Sequence, residues 1–370
     1  MLEMDRSAVI AYRVDAHQFD RKRTRLDRLN VLDLGIQEPR AGSARIALAA
    51  RLPTDPSATA LTATASTWTF RGAPHLHRAA DLPALSAALW PADEADAAAK
   101  LGDTCAQLRR EKCSAVQAIR DTAEAWRAIA GSEPQTKGEI SAAVTKRLPS
   151  TYSGRCNGCG VTHVLEQLLR LAALPAGAIV AAPGPPVSFT MTADWPGPPE
   201  RAAGAQSLVN AYLRLHGPAG PSEVAGYLGT KAAALDSVWP DDLVEVLVDG
   251  RRRYLAKADV DALSAAPAPR LVRLLPPSDP YLQARDRATI VPDKALHKQV
   301  WRILGNPGAL LIDGEIAGVW RSKPAGKAGL ALTITPFGSV PRGRRTDVAD
   351  EADRVAGGRG LPVARISYDD

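Results

Sequence analysis

The chain has 370 residues, 45% hydrophobic and 23% charged, and its 46 basic against 40 acidic residues leave a net charge of +6 and an isoelectric point of about 9.2. That length exceeds one simple core and predicts two to four compact units. Composition, the lack of an N-terminal apolar run, the absence of any stretch near the ~20 apolar residues of a membrane span, and only four cysteines exclude a secreted disulfide scaffold and a membrane protein, and predict a cytoplasmic globular one. The positive charge is clustered, in Arg21-Lys22-Arg23-Thr24-Arg25, Arg109-Arg110-Glu111-Lys112, Arg251-Arg252-Arg253 and Arg342-Gly343-Arg344-Arg345. Each cluster adjoins an expected turn, a placement suited to phosphate contacts.

Residues 6 to 19 place Val9, Tyr12, Arg13 and Ala16 at helical spacing. Val31-Leu32-Asp33-Leu34 is an apolar segment that stops at Gly35 and is followed by Ile36, Gln37, Glu38 and Pro39; a helical pattern resumes toward Arg51-Leu52. A glutamine between two apolar helices needs partners for both its O and its N, so it is placed to hold a water, a base edge or a neighbouring backbone. An ordinary connecting turn is the alternative. Thr67 to His77, broken at Arg71-Gly72-Ala73-Pro74, reads as a basic-tipped hairpin on which His75 and His77 share a face. Cys113 to Ala130 reads as a helix, Thr136-Lys137-Gly138-Glu139 as a capping box, Thr162 to Ala173 as another helix, and 178–191 as a hairpin. The pattern recurs in a helix over Ser207 to His216, a helix opened by Pro221, a helix from Lys231 to Trp239 capped by Thr230, and a hairpin turning at Asp249-Gly250 into Arg251, Arg252 and Arg253. From Leu271 onward strands dominate, with a turn at Asp313-Gly314 and one helix about Asp347 to Val355.

Helices followed by a basic-tipped hairpin are the order of a winged helix-turn-helix. The expected fold is therefore α+β, with three tandem winged helix-turn-helix units over 1–90, 100–195 and 204–265 and a β-rich C-terminal domain over 270–370. Cys156, Cys159 and His163 give three soft ligands at metal-like spacing, with the histidine just inside the expected helix. Structural zinc takes four ligands, so Cys105, Cys113 or water would have to complete the set; a metal-free turn with reduced thiols is the alternative.

Several motifs in order resemble those of the winged-helix DNA-binding family that includes the AlkZ-like alkylpurine DNA glycosylases. They are Ala11-Tyr12-Arg13, Leu34-Gly35-Ile36-Gln37 with Ala47-Leu48-Ala49-Ala50-Arg51-Leu52, Arg71-Gly72-Ala73-Pro74-His75, and Tyr212-Leu213-Arg214-Leu215-His216-Gly217-Pro218. Leu274 to Leu282 and Gly314 to Arg321 continue the series, and the resemblance covers nearly the whole chain. It implies tandem winged helices that form a concave DNA-binding surface, and a catalytic stretch of glutamine, an apolar residue and a second glutamine. Here the first matches Gln37, Glu38 holds the middle position, and Pro39, with neither a side-chain amide nor a backbone donor, stands in place of the second. Glu38 could supply a water-activating carboxylate; Asp279 or Asp286 could fold over the site, an exposed ion pair being the alternative for each.

The expected function is recognition of damaged duplex DNA, with DNA glycosylase activity that excises alkylated purines centred on Gln37 and Glu38. A non-catalytic winged-helix DNA-binding or regulatory protein is the alternative. The residues expected on DNA are Arg21, Lys22, Arg23, Arg71, His75, Arg251, Arg252, Arg253, Arg285 and Arg287. No cofactor is expected apart from zinc on Cys156, Cys159 and His163, and the chain is expected to act as a monomer with no membrane partner.

Overall fold

The computed structural model describes residues 2–369, of which 44% are helical and 21% lie in strands. The chain divides into two compact units: Met1–Thr62, Asn210–Val224 and Pro240–Asp370 form the first, and Ala63–Val209 with Ala225–Trp239 the second.

The first unit is built on a five-stranded sheet of Val272–Leu275, Gly308–Ile312, Glu315–Pro324, Leu330–Pro336 and Val363–Tyr368, adjacent in that order. The first four strands are antiparallel, and the last pair is parallel because the helix Arg345–Gly357 carries the chain across between them. The apolar runs in these strands are continuous because both faces are covered. Leu274, Leu310 and Trp320 pack with Val348, Ala352 and Val355 of that helix, while their neighbours Leu275, Leu311 and Val319 pack with Ile10, Val14 and Phe19. The expected two-residue turns at Asp313-Gly314 and Asp249-Gly250 are present, all four residues at positive φ, the backbone a tight hairpin requires. At Gly314 a Cβ would also come within 2.8 Å of Ile10 Cγ2.

The helix Arg6–Ala16 starts where Asp5 accepts the Ala8 N–H at 2.8 Å. It is buried on two sides: Ile10 and Val14 face the large sheet, while Val9, Tyr12 and Ala16 face Val246, Val248 and Leu255. Those belong to a second sheet, in which Leu2–Met4 lies parallel beside Leu243–Val248, itself paired with Arg251–Ala256.

In the second unit, helices Ala115–Ile129 and Glu166–Ala176 enclose a core centred on Trp68, Trp126 and Phe189, whose rings meet edge to face at 4.7–6.3 Å. The hairpins Thr64–Trp68 with Pro74–Arg78 and Ala178–Ala182 with Ser188–Met191 are present, as is the Thr136–Glu139 capping box. Two expectations fail. The helix expected from Thr162 begins at Glu166, because Thr162–Val164 is a strand paired with Ser153–Arg155; pairing overrides the helical spacing of Val164 and Leu168. The helix expected from Lys231 to Trp239 is only a 3-10 turn over Ala232–Leu235, and Thr230 donates its hydroxyl to Asp96 rather than capping it. A segment closed by Pro240 is too short to repay helix nucleation.

Candidate active site

Gln37 is displayed by a turn held at both ends. The 3-10 turn Asn30–Asp33 leads through buried Leu34 to Gly35, at φ +74, and into the two-residue strand Ile36–Gln37. Ile36 is fully buried and Gln37 half-buried, the alternation a strand imposes. Upstream, Asp33 is ion-paired with Arg214. Downstream, Gly42, at φ +84, donates its N–H to Glu38 Oε1 at 3.1 Å and opens the helix Ser43–Ala49. The side-chain amide of Gln37 has no hydrogen-bond partner among the described residues, so it is available to a water or a substrate oxygen. Glu38, the expected base, is engaged in closing its own turn. Pro39 is exposed and leaves the second amide of the resembled motif without a substitute.

The same unit holds a buried electrostatic clamp. Arg51 and Asp279 are both fully buried and joined by two hydrogen bonds of 2.8 and 2.9 Å. Arg51 also donates to Ala47 O at 2.8 Å and to His17 Nδ1 at 3.2 Å. Arg13 grips Asp286 at 2.7 and 3.0 Å and donates to the Gly217 carbonyl at 3.1 Å. Asp279 and Asp286 are thus neither exposed nor loose over the site; each neutralises a buried guanidinium. Burial, with nearby arginines and with each other's field at His17, pushes the His17 and His216 rings well below the usual histidine range, which keeps them neutral. The motifs Ala11-Tyr12-Arg13, Arg51 and Tyr212 to Pro218 therefore meet in buried polar contacts, and Arg214 ties them to the turn through Asp33.

Several basic residues expected at the surface are committed elsewhere. His75 is buried, with Nδ1 at 2.9 Å from both Thr69 Oγ1 and the Ala73 carbonyl, so it packs rather than projects. Arg21 is paired with buried Glu351 and bonded to Ala49 O at 3.1 Å. Arg71 donates to Tyr227 O and lies over the Tyr227 ring. Arg253 is paired with Glu223 at 3.1 Å and Arg252 with Glu245 at 3.4 Å; Arg285 is half-buried. Lys22, Arg23, Arg251 and Arg287 are exposed.

A second basic group went unnoticed in the sequence because its members are far apart in the chain. Arg40 is exposed just beyond Gln37, and its Nη2 would be 3.9 Å from a Cβ at Gly305. Arg321 donates to the Gly305 carbonyl at 3.0 Å. Burial, Arg302 and Arg40 lower the Arg321 pKa, while burial and Arg40 lower that of Arg359. Within this group the tip of the loop exposes Ile303 completely and Leu304 to 86%. Two adjacent uncovered aliphatics are the one signal that sequence offered here, in Arg302-Ile303-Leu304-Gly305.

Cys156, Cys159 and His163 are brought together, with their ligand atoms all within 4.8 Å of one another. His163 lies on the strand Thr162–Val164 rather than inside a helix. Cys105 is buried beneath Arg109, and Cys113 donates to Glu111 O; neither belongs to the group.

A family model described as DNA glycosylase AlkZ-like matches residues 26–357. A curated relative, the interstrand DNA cross-link repair glycosylase of Streptomyces sahachiroi, is 28% identical over 198 residues, 49% of this chain and 52% of the relative. The aligned stretch thus spans about half the length of that relative. The solved structure of Streptomyces sahachiroi DNA glycosylase AlkZ is similar over 100% of both chains, with a TM-score of 0.74 at 22% sequence identity. The two chains share a fold.

Proposed function

The chain belongs to the DNA glycosylase AlkZ-like family, and we propose that it binds damaged duplex DNA and hydrolyses the N-glycosidic bond of an alkylated purine beside Gln37. The observation that carries the proposal is a braced turn presenting an unpartnered amide just ahead of Arg40, which stands among Arg302, Arg321 and Arg359 beside an uncovered apolar tip. Alkylation of a purine ring nitrogen leaves the base cationic, so it departs neutral as positive charge grows on the sugar. The Gln37 amide oxygen can accept from a water and aim it at the sugar carbon left behind, and that water loses its proton to solvent. Glu38, tied to Gly42, acts as a positioning residue.

The phosphate backbone is proposed to lie along Arg40, Arg302, Arg321 and Arg359, with Ile303 and Leu304 entering the stack. Apolar wedges flanked by arginine are a common means of opening a duplex. The exposed Lys22, Arg23, Arg251 and Arg287 would supply outlying contacts. Three winged helices over 1–90, 100–195 and 204–265 and a C-terminal domain over 270–370 form part of the same proposal; its support in 100–195 is a helical run followed by a hairpin. No helix of the described residues is long and apolar enough to cross a membrane. We propose that it acts on DNA in the cytoplasm, as a monomer.

The test is base release from duplex DNA containing N7-methylguanine or a bulky N7 adduct. Wild type should release the base, and Gln37→Ala should lose roughly a hundredfold in rate, the scale of a mispositioned reactant. Glu38→Gln keeps an oxygen for the Gly42 N–H and should retain activity; loss comparable to Gln37→Ala would instead make Glu38 the base. Ile303→Asp should weaken binding without changing fold. Tight, salt-sensitive binding without release from any alkylated substrate would favour the second reading, a non-catalytic DNA-binding protein, to which Pro39 in the second motif position points.

A further inference from the structure

We propose that Cys156, Cys159 and His163 bind one zinc ion, with the fourth coordination position open to solvent. Cys156 and Cys159 lie in the loop that closes the hairpin Ser153–Arg155 and Thr162–Val164, and His163 on its second strand. The tip is closed by Cys156 N–H to Val161 O and Gly160 N–H to Cys156 O, each 2.9 Å, and turns at Gly160 with φ +71. This bend returns the second cysteine toward the first, so that both sulfurs and the His163 ring nitrogen lie within 4.8 Å of one another.

The histidine is pre-oriented too. His163 Nδ1 lies 2.7 Å from the Val164 carbonyl, which fixes the proton on Nδ1 and leaves Nε2 as the lone-pair nitrogen for a metal. A ring held through its second nitrogen by a carbonyl is the usual support of a metal-bound imidazole. In a tetrahedral zinc site with Zn–S about 2.3 Å and Zn–N about 2.0 Å, ligand atoms sit about 3.5–3.8 Å apart. The observed limit of 4.8 Å closes to that by side-chain rotation, since Cys159 is exposed and Cys156 and His163 are only half-buried.

Two thiolates and an imidazole suit zinc; an iron–sulfur cluster uses four cysteines. Cys105 and Cys113 do not complete the set, so the ion keeps a water. It would pin the hairpin that leads into the helix Glu166–Ala176.

The experiment uses the untagged full chain, reduced, loaded with zinc chloride, dialysed and assayed for metal by mass spectrometry. About one zinc per chain is expected for wild type and for Cys113→Ser, and at least tenfold weaker binding for Cys156→Ser, Cys159→Ser and His163→Ala, with circular dichroism confirming that each variant is folded. Bound zinc should also slow the reaction of Cys156 and Cys159 with a thiol reagent, and cobalt in its place should give the intense visible absorption of a tetrahedral thiolate site. Folded wild type that retains no zinc, or ligand variants that retain as much as wild type, would overturn the proposal.

Discussion

Arg40 and Arg51 flank the short helix Ser43–Ala49 in sequence, and the protein treats them in opposite ways. Arg51 has no solvent exposure and is held by a carboxylate, a backbone carbonyl and a neutral histidine. Arg40 is exposed among other arginines, whose mutual repulsion is left unrelieved. The buried guanidinium spends its charge on architecture, while the exposed group holds a positive field for an anion to neutralise. A buried clamp and an exposed charged rim are therefore made from the same residue type, separated by whether a carboxylate lies within reach.

The sharpest way to break this contrast is to remove one member of the clamp. Arg51→Ala leaves Asp279 as an uncompensated buried charge and should cost about 3–5 kcal/mol in chemical denaturation. Replacing both Arg51 and Asp279 with apolar residues of similar volume should recover much of that loss. A recovery of activity as well would show that the clamp is not needed to place Gln37.

Acid attacks the buried side next. His17, His75 and His216 are all pushed well below the usual histidine range, with burial the leading cause. Held neutral, the folded protein binds fewer protons than the unfolded chain once pH falls below about 6.5. Stability is then fully present above that value and declines beneath it, by about 1.4 kcal/mol per pH unit for each ring. Denaturation midpoints measured between pH 7.5 and 5.5 should fall together; a flat profile would mean that these rings charge without penalty.

On the exposed side, Arg302→Ala and Arg321→Ala should leave stability nearly unchanged, weaken DNA binding several-fold, and each lower the salt slope by about one. The smallest effect is expected from Arg251→Ala, on the hairpin whose other two arginines are already paired with carboxylates. A larger loss there than at Arg302 would move the interface away from Gln37.

Much of the architecture was legible because it depends on local chemistry. The Asp-Gly pairs at 249–250 and 313–314 demand positive φ, and the Thr136–Glu139 capping box satisfies its own helix end. The turn at Gln37 could be read as a departure from apolar patterning. The partners of the arginines could not be read, because Arg51 meets a carboxylate at 279 and Arg13 one at 286. His75 and His77 were rightly given one face, yet both are buried, since alternation cannot say which side of a hairpin meets the core. The rim of Arg40, Arg302, Arg321 and Arg359 left no trace as a run of charge.

The parallel pairing of Leu2 with Val246 also sets an order of events during synthesis. The helix Arg6–Ala16 emerges first, but the strands that cover its two apolar faces come from residues 243–256 and from 272 onward. The stretch 63–209, meanwhile, is complete enough to begin assembling its own core. The helix Arg6–Ala16 thus stays uncovered until those strands emerge, and its distant pairings are expected to make the first unit the slower of the two to fold.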